Sequence, residues 1–387
     1  MVLQALRLLV FALLTTPCWG QDEQPAAASP TPTPLPAMEL LGQTVQAGLR
    51  ARLSWRTGFG YGLNEEPVPV LVSHGGQAGP VLCLTAAVHG DELNGIEIVR
   101  RIMTLAQPND LRGTVIGVPV VNVHGFHRRS RYLPDRRDLN RHFPGSATGS
   151  FASRVAHDFF TRVIRHCSIL VDVHTGSFYR SNLPQLRADL RDEAILDLTQ
   201  YFGAMTVLHS RPAEGTLRRA AQDASIPAVT MEVGEPNRLQ AEDVALAVRG
   251  LKTLLAGLEM IGSRPIWDRA QPVYYESEWV RADRGGILFS TVELGQKVRA
   301  GEVLGTVTDP LSNVYVEIAS PIDGRVLGKA LNQFVMPGFA AFRIGVETAE
   351  PDVIVESGVR SDPEAQSDDS ALEQPDMSPV DEQERLP

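Results

Sequence analysis

The sequence has few cysteines and no long apolar run, and each shortage excludes a class of protein. Three cysteines in 387 residues are too few for a disulfide framework. Cys83 and Cys167 lie inside apolar runs, so we expect them to be buried small hydrophobic residues. No apolar run reaches the roughly 18 residues that a membrane span needs. The composition, 43% hydrophobic and 21% charged residues, is that of an ordinary globular protein with a core.

A basic excess is also lacking. The net charge is −10, and residues 347–387 hold thirteen acidic residues against two arginines. The rest of the chain is therefore close to neutral, which argues against a nucleic-acid-binding surface. Residues 348–387 are rich in Asp, Glu, Ser and Pro, so we predict an acidic, disordered tail there.

The N-terminus has the pattern of an export signal. A basic residue precedes an apolar run over 8–16, and residues 18–20 offer a small-x-small cleavage site. We therefore predict a signal peptide over 1–20 and a secreted or periplasmic protein. A lipoprotein anchor at Cys18 is the alternative, which is disfavoured because Pro17 stands where such a site has a small residue.

The middle of the chain alternates apolar runs with helical patterns. After a proline-rich stretch over 21–38, predicted to be a disordered linker, continuous apolar runs stand at 81–88, 114–121, 168–173 and 227–233. Continuous runs are typical of buried parallel strands. Helical periodicity occurs at 96–106, 151–167 and 241–261. We predict an α/β domain over 39–262, a mostly parallel mixed sheet flanked by helices on both faces.

From about residue 263 the pattern changes to short apolar segments between glycine turns, with a weak internal repeat. Two similar halves predict a small all-β barrel or sandwich domain over 263–347. Its glycine spacing resembles that of lipoyl and biotinyl carrier domains. Those carriers hold their cofactor on a hairpin lysine, and residues 308–313 contain none, so a carrier function is not expected.

Residues that can bind a metal follow three of the predicted strands. His89 and Glu92 come after the first strand, His174 ends the third, and Glu232 lies near the end of the fourth. Ligands bind outside the carboxyl ends of strands in an open α/β sheet, so we expect these side chains at one edge. Two imidazoles and one carboxylate, with a fourth position left to water, make a catalytic zinc site.

His89, Glu92 and His174 are accordingly the predicted ligands of one zinc ion, which would lower the pKa of its water to about 7. Glu232 is the candidate general base. Each feature alone is weak, since HxxE pairs are common on helices and a strand-final histidine is more often structural. The hypothesis depends on their conjunction. Asp172 is predicted either to pack in its strand or to hydrogen-bond a ligand imidazole.

An arginine-rich segment over 131–145 follows the second strand and so belongs to the same edge. Guanidinium groups match carboxylates bidentately, which indicates an anionic substrate group or a developing oxyanion in the cleft. A solvated basic loop is the alternative. Arg218, ahead of the Glu232 strand, is a further candidate for the cleft.

Four motifs carry a family resemblance: AAVHGDELNG (86–95), RDLNRHFPG (137–145), DVHTG (172–176) and TMEVGE (230–235). In these stretches, which span the α/β domain, the chain resembles the succinylglutamate desuccinylase and aspartoacylase family, a branch of the zinc carboxypeptidase-like hydrolases. Members hydrolyse the amide bond of N-acyl amino acids, and their carboxypeptidase relatives cleave peptides. The family also has a β-rich C-terminal domain that shapes the pocket.

The resemblance implies a role for each matching residue. His89, Glu92 and His174 would be the zinc ligands and Glu232 the general base. Asn140 and Arg141 would hold a substrate carboxylate, and Arg131 would polarise the scissile carbonyl.

The function hypothesis is therefore a zinc-dependent hydrolase that cleaves an N-acyl amino acid or short anionic peptide outside the cytoplasm. A periplasmic cell-wall peptide carboxypeptidase and a non-catalytic binding protein on the same fold are the alternatives. We expect one Zn²⁺ per chain and a small-molecule substrate, but neither a nucleic acid nor a membrane span. The acyl group, the amino acid and the oligomeric state stay open.

Overall fold

The structure is a computed structural model that describes residues 35–56, 66–265 and 272–346. The predicted signal peptide, the predicted acidic tail, and all of the predicted linker before residue 35 lie outside these ranges. No helix within them is long and apolar enough to cross a bilayer.

The strands and helices of the described residues alternate through the first part of the chain, and only strands follow the last helix. The strands are β1 (Met38–Leu40), β2 (Gln43–Val45), β3 (Leu49–Trp55), β4 (Val68–His74), β5 (Gln77–Ala86), β6 (Arg112–Val118), β7 (Ile169–His174), β8 (Arg180–Ala188), β9 (Thr206–His209), β10 (Ala228–Gly234), β11 (Val273–Tyr274), β12 (Glu276–Arg281), β13 (Gly286–Ser290), β14 (Lys297–Val298), β15 (Val303–Thr308), β16 (Tyr315–Ala319), β17 (Gly324–Ala330), β18 (Gln333–Val335) and β19 (Ala340–Val346). The helices are α1 (Leu93–Leu105), α2 (Val123–Arg128), α3 (Phe151–Arg162), α4 (Glu193–Gln200), α5 (Leu217–Asp223) and α6 (Ala241–Gly257).

The centre of the main sheet is parallel, in the order β10-β7-β5-β6. These strands correspond to the continuous apolar runs of the sequence, and the prediction of a mixed, mostly parallel central sheet is confirmed. Antiparallel strands flank the centre: β8 pairs with β10 on one side, and β4 then β3 follow β6 on the other. Because the four central strands run the same way, their carboxyl ends share one edge.

Helices cover both faces of this sheet, as the periodicity predicts. On one face α1 and α6 bury Ile98, Ile102 and Leu251 in a core with the strands. On the other, α3 and α5 bury Phe159 and Leu217 in a second core. Each helix therefore gains its stability from one apolar stripe pressed against the sheet.

The two cysteines are buried, but they are not separate small hydrophobic residues. Cys83 in β5 and Cys167 just before β7 form a disulfide, with their Cα atoms 5.7 Å apart. They are 84 positions apart in sequence, and the parallel pairing of β5 with β7 brings them together. The expectation of separate, unlinked cysteines is therefore wrong.

The C-terminal strands continue the main sheet. β17 pairs antiparallel with β8, and β19 and β12 follow at the edge. A second sheet, in the order β16-β15-β13-β18, packs on these strands around a shared core that includes Leu288, Ile318, Phe342 and Ile344. The described residues after 272 thus form an all-β region that is hydrogen-bonded to the α/β part through β8.

Loss of the disulfide is expected to destabilise the fold. The double variant Cys83→Ala, Cys167→Ala should lose about 2–5 kcal/mol of unfolding free energy, because the link restrains a long loop of the unfolded chain. Urea denaturation measures this, and reductant should then weaken the wild type but not the variant. Free thiols from both cysteines in denatured, unreduced protein would contradict the disulfide.

Candidate active site

Two imidazoles and one carboxylate converge at the carboxyl ends of β5 and β7. His89 Nδ1 lies 2.8 Å from one oxygen of Glu92, and His174 Nδ1 lies 2.9 Å from the other. The two Nδ1 atoms are 3.2 Å apart. All three residues are buried. The structure thus brings together the three predicted metal ligands, which are 85 positions apart at their extremes.

The arrangement of these donor atoms fits a zinc ion. Two nitrogen ligands at about 2.1 Å from a tetrahedral ion are about 3.4 Å apart, close to the observed separation of the Nδ1 atoms. Imidazole and carboxylate are also ligand types that zinc takes in catalytic sites. His89, Glu92 and His174 could therefore hold one ion without rearrangement of their backbones.

Each imidazole is backed by a buried carboxylate on its other nitrogen. His89 Nε2 lies 3.1 Å from Asp138, and His174 Nε2 lies 2.7 Å from Asp172, whose second oxygen accepts a hydrogen bond from Thr85. The carboxylate on Nε2 orients each ring so that Nδ1 faces its partner and can bind a metal ion that displaces the Nδ1 proton. Of the two readings of Asp172, the structure shows the hydrogen bond to a candidate ligand.

The electrostatics of the cluster favour a cation. Burial would raise the pKa of the Glu92 carboxyl, but His89 and His174 lower it. Burial would likewise lower the pKa of His174, yet Asp172 and Glu92 hold that pKa well above its usual value. The mutual attraction of these groups compensates for their burial, as a buried charge cluster requires.

A tight turn between β5 and α1 presents His89 and Glu92 together. Glu92 N donates to His89 O (3.2 Å), and Glu92 is also the residue from which α1 begins. Gly90 lies so close to the backbone of Gly125 that a Cβ atom there would come within 2.1 Å of it. The turn therefore requires glycine at its centre, which explains the small residue between the two candidate ligands.

Arg131 is buried beside the candidate metal ligands. Its Nε and Nη2 donate to Asp138 Oδ2 (3.0 and 2.8 Å), and its Nη1 donates to Ser177 Oγ (2.9 Å). The same Nη1 is 3.6 Å from Glu92. Asp138 thus holds both the guanidinium of Arg131 and the imidazole of His89, and Arg131 keeps the pKa of this buried carboxyl well below its usual value against the effect of burial.

Glu232 stands on β10 in register with His174 of β7. Asn182 Nδ2 on β8 donates to one of its oxygens (3.0 Å), and Arg187 Nε is 3.4 Å from the other. The carboxylate is therefore fixed beside the metal-binding strand and faces the same cavity as His89 and His174.

This cavity of about 150 Å³ contains every predicted site residue except the more deeply buried Glu92. Asn140 and Arg141 line it, and Asn140 Oδ1 also accepts from Leu217 N (2.8 Å) at the start of α5. Among the described residues, seven arginines line the cavity, against a single carboxylate, that of Glu232. Its walls are therefore strongly positive.

Arg218 is the most unusual of these arginines. It is 6% exposed, its Nη2 donates to Ser210 Oγ (3.3 Å), and its Nη1 has no hydrogen-bond partner among the described residues. Burial and the neighbouring Arg187 lower the pKa of the guanidinium to about 10. A buried guanidinium with an unused donor is a ready partner for an anion.

Sequence reasoning missed several residues of the site. Asp138 lies inside the motif RDLNRHFPG (137–145), but nothing in the sequence pairs it with His89. Asn182, Trp279 and Arg343 belong to strands that were not predicted individually, and they reach the cavity only because β8 and the β region continue the sheet.

Comparison with known proteins shows the family to which this chain belongs. The family model described as "Succinylglutamate desuccinylase/Aspartoacylase catalytic domain" matches residues 78–258. A curated relative, N-alpha-acetyl-L-2,4-diaminobutyric acid deacetylase of Halomonas elongata, is 30% identical in an alignment of length 256 that covers 62% of this chain and 74% of the relative. The chain belongs to the succinylglutamate desuccinylase/aspartoacylase family. The resemblance seen in the sequence motifs is thereby confirmed.

Solved structures of the family agree. Succinylglutamate desuccinylase/aspartoacylase from Rhodobacter sphaeroides superposes with a TM-score of 0.69 at 26% identity, covering 78% of this chain and 96% of that one. The product-bound ectoine utilization protein EutE (DoeB) of Ruegeria pomeroyi gives 0.69 at 23% identity over 77% and 95%, which is a likeness of fold alone. The relatives are deacylating hydrolases by name, so membership in the family supports an enzyme.

The two carboxylates behind the imidazoles are expected to differ in their effects. Asp138→Asn and Asp172→Asn should each weaken zinc binding about 10- to 100-fold, because the imidazoles lose their orienting partners. Only Asp138→Asn should also lower kcat at saturating zinc, since of these two carboxylates only Asp138 accepts hydrogen bonds from Arg131. Competition with a chelator and kcat at saturating zinc measure the two effects. Unchanged zinc affinity in both variants would contradict this account.

Proposed function

We propose that this protein is a zinc-dependent deacylase that hydrolyses the amide bond of a small anionic N-acyl amino acid. The observation that carries the proposal is the convergence of His89, Glu92 and His174 within hydrogen-bond distances, beside the cavity that Glu232 and Arg131 line. Family membership supports the amide-bond chemistry.

In this mechanism His89, Glu92 and His174 hold the zinc ion, which when bound lowers the pKa of a water to about 7. Glu232 accepts the proton of the attacking water and returns it to the leaving nitrogen, as a general base and then a general acid. Asn182 donates to one Glu232 oxygen and so orients the other toward the cavity. We therefore propose that this one carboxylate carries both proton transfers.

Arg131 stabilises the negative charge that develops on the amide oxygen during attack. The guanidinium is held on one edge by Asp138 and on another by Ser177, so it needs no reorganisation when the charge appears. Fixed donors in a site with little water are worth more than mobile ones. This supports the role that the motifs imply for Arg131.

The charge of the cavity supports an anionic substrate. Asn140 and Arg141 would bind the α-carboxylate of the amino acid, and the unused donor of Arg218 offers a place for a further anionic group. Diaminobutyric acid, named in the relative from Halomonas elongata, carries a second amino group. The seven arginines would repel such an ammonium group. We therefore propose that the substrate of this protein is anionic and has no second amino group.

The size of the cavity favours an N-acyl amino acid over a peptide. Pockets for drug-sized ligands have volumes of about 300–1,000 Å³, and this one measures about 150 Å³. A cell-wall peptide would extend beyond it. A non-catalytic binding protein is disfavoured because the ligand set, the base and the carbonyl-polarising arginine are all present.

We further propose that the enzyme acts outside the cytoplasm. The export pattern over 1–20 motivates this, and the Cys83–Cys167 disulfide supports it, because such bonds persist mainly in oxidising compartments.

The decisive experiment is amine release by the purified, zinc-loaded protein. The panel comprises N-acetyl, N-succinyl and longer N-acyl derivatives of acidic, neutral and basic amino acids, together with short cell-wall peptides. Glu232→Gln should keep its zinc and lose about 10²- to 10⁴-fold in kcat, because the general base is gone. Wild-type turnover of acidic derivatives that disappears in this variant supports the proposal. Full activity of the variant, or turnover of peptides alone, would refute it.

The carboxylate-binding role of Arg141 gives a second prediction. Arg141→Ala should raise KM about 10- to 100-fold with a smaller change in kcat, because an interaction with the α-carboxylate is lost. The matched control is Arg137→Ala, which removes an exposed arginine of the same segment that pairs with Asp135. An unchanged KM in Arg141→Ala would remove this residue from substrate binding.

A further inference from the structure

The turn after β7 holds two aromatic residues in a backbone conformation that favours glycine. Phe178 (φ 53°) and Tyr179 (φ 56°) are the central residues of a turn that Arg180 N closes by donating to Ser177 O (3.2 Å). Turns with two such residues usually use Asn-Gly, because a Cβ atom in this region crowds the following carbonyl. Surrounding contacts must therefore hold the turn in place.

Two residues of this turn, Ser177 and Phe178, contact Arg131 and hold it in place. Ser177 Oγ accepts a hydrogen bond from Arg131 Nη1 (2.9 Å), and the Phe178 ring lies 5.3 Å from the guanidinium carbon. Asp138 binds the opposite edge of the same guanidinium. A relaxed turn would withdraw Ser177 and Phe178, and Arg131 would then be fixed on one side only.

The C-terminal β region supplies the contacts that hold the turn. Leu331 N donates to Tyr179 O (2.8 Å), and Gln333 Nε2 on β18 donates to Tyr179 O (2.8 Å) and Phe178 O (3.4 Å). Both partners of the Gln333 amide are carbonyl oxygens, so the atom facing them must be the donor nitrogen. One side chain thus bridges the carbonyls of the two left-handed residues.

We propose that Gln333 is a positioning residue for the deacylation: its side-chain amide holds the Ser177–Arg180 turn, and the turn holds Arg131 against the scissile carbonyl. The inference rests on the proposed role of Arg131. It gives the C-terminal β region a part in the chemistry, although that region supplies none of the predicted metal ligands. Gln333 itself touches neither the candidate ligands nor the cavity.

The test compares a substitution that removes the hydrogen-bond donor of Gln333 with one that keeps a donor. Gln333→Glu keeps the size of the side chain but removes the donor and sets carboxylate oxygens against two carbonyls. Gln333→Lys keeps a donor within reach of the turn. The matched control is Asn332→Ala, which removes a bond to Ser290 N in the same hairpin and leaves the turn alone.

We expect Gln333→Glu to lower kcat about 10- to 100-fold, as a displaced catalytic group does. KM and zinc content should stay within about twofold of the wild type, because binding groups are untouched. Gln333→Lys should restore most of kcat, and Asn332→Ala should match the wild type. A fall in kcat in Asn332→Ala equal to that in Gln333→Glu would overturn the proposal, since general loosening of the hairpin would then explain both.

Amide hydrogen exchange over 177–182 gives a readout that needs no turnover. Exchange should be faster in Gln333→Glu than in the wild type and Gln333→Lys. Wild-type exchange in Gln333→Glu, or faster exchange with unchanged kcat, would overturn the proposal. If the wild type hydrolyses nothing on the panel, the proposed function fails, and exchange together with phenylglyoxal modification of Arg131 decides the positioning role alone.

Discussion

The site depends on one buried carboxylate. Asp138 accepts hydrogen bonds from His89, from the Asn140 backbone and twice from Arg131, so a single side chain fixes a candidate metal ligand and the candidate carbonyl-polarising group relative to each other. Burying a charge is costly unless its partners are close and its lone pairs are filled. Here they are filled by groups of the site itself, so the geometry of the candidate metal ligands and that of the Arg131 guanidinium cannot vary independently.

Much of this centre could be predicted because parallel strands impose simple rules. Continuous apolar runs revealed the central strands, and polar residues at their ends had to share an edge. The contact between Asp172 and His174 was also within reach, because residues two apart on a strand point to the same face. The roles of Asn140, Arg141 and Arg131 needed the family motifs, since a basic segment alone does not show which guanidinium enters the cavity.

The parts that could not be predicted from the sequence are strand β8 and the disulfide. β8 reads as a polar segment with Pro184 in its middle, a pattern that argues against a central strand. It is nonetheless paired on both sides, and Pro184 lies where the register with β10 shifts, so no ladder bond is lost. Its polar residues, among them Asn182 and Arg187, face the cavity. The Cys83–Cys167 disulfide was missed because strand pairing, rather than sequence spacing, brings the two together.

The arginines of the cavity show where stability and binding oppose each other. The chain outside its acidic tail is near neutral, yet seven guanidiniums line one small cavity. Burial and the neighbouring Arg187 lower the pKa of Arg218 to about 10, so the charge of this guanidinium is disfavoured in the free protein. An anion that enters the cavity relieves the repulsion, and a neutral or cationic molecule does not. The cavity would therefore select an anion partly because the anion reduces electrostatic repulsion among the arginines, in addition to any hydrogen bond made to the substrate.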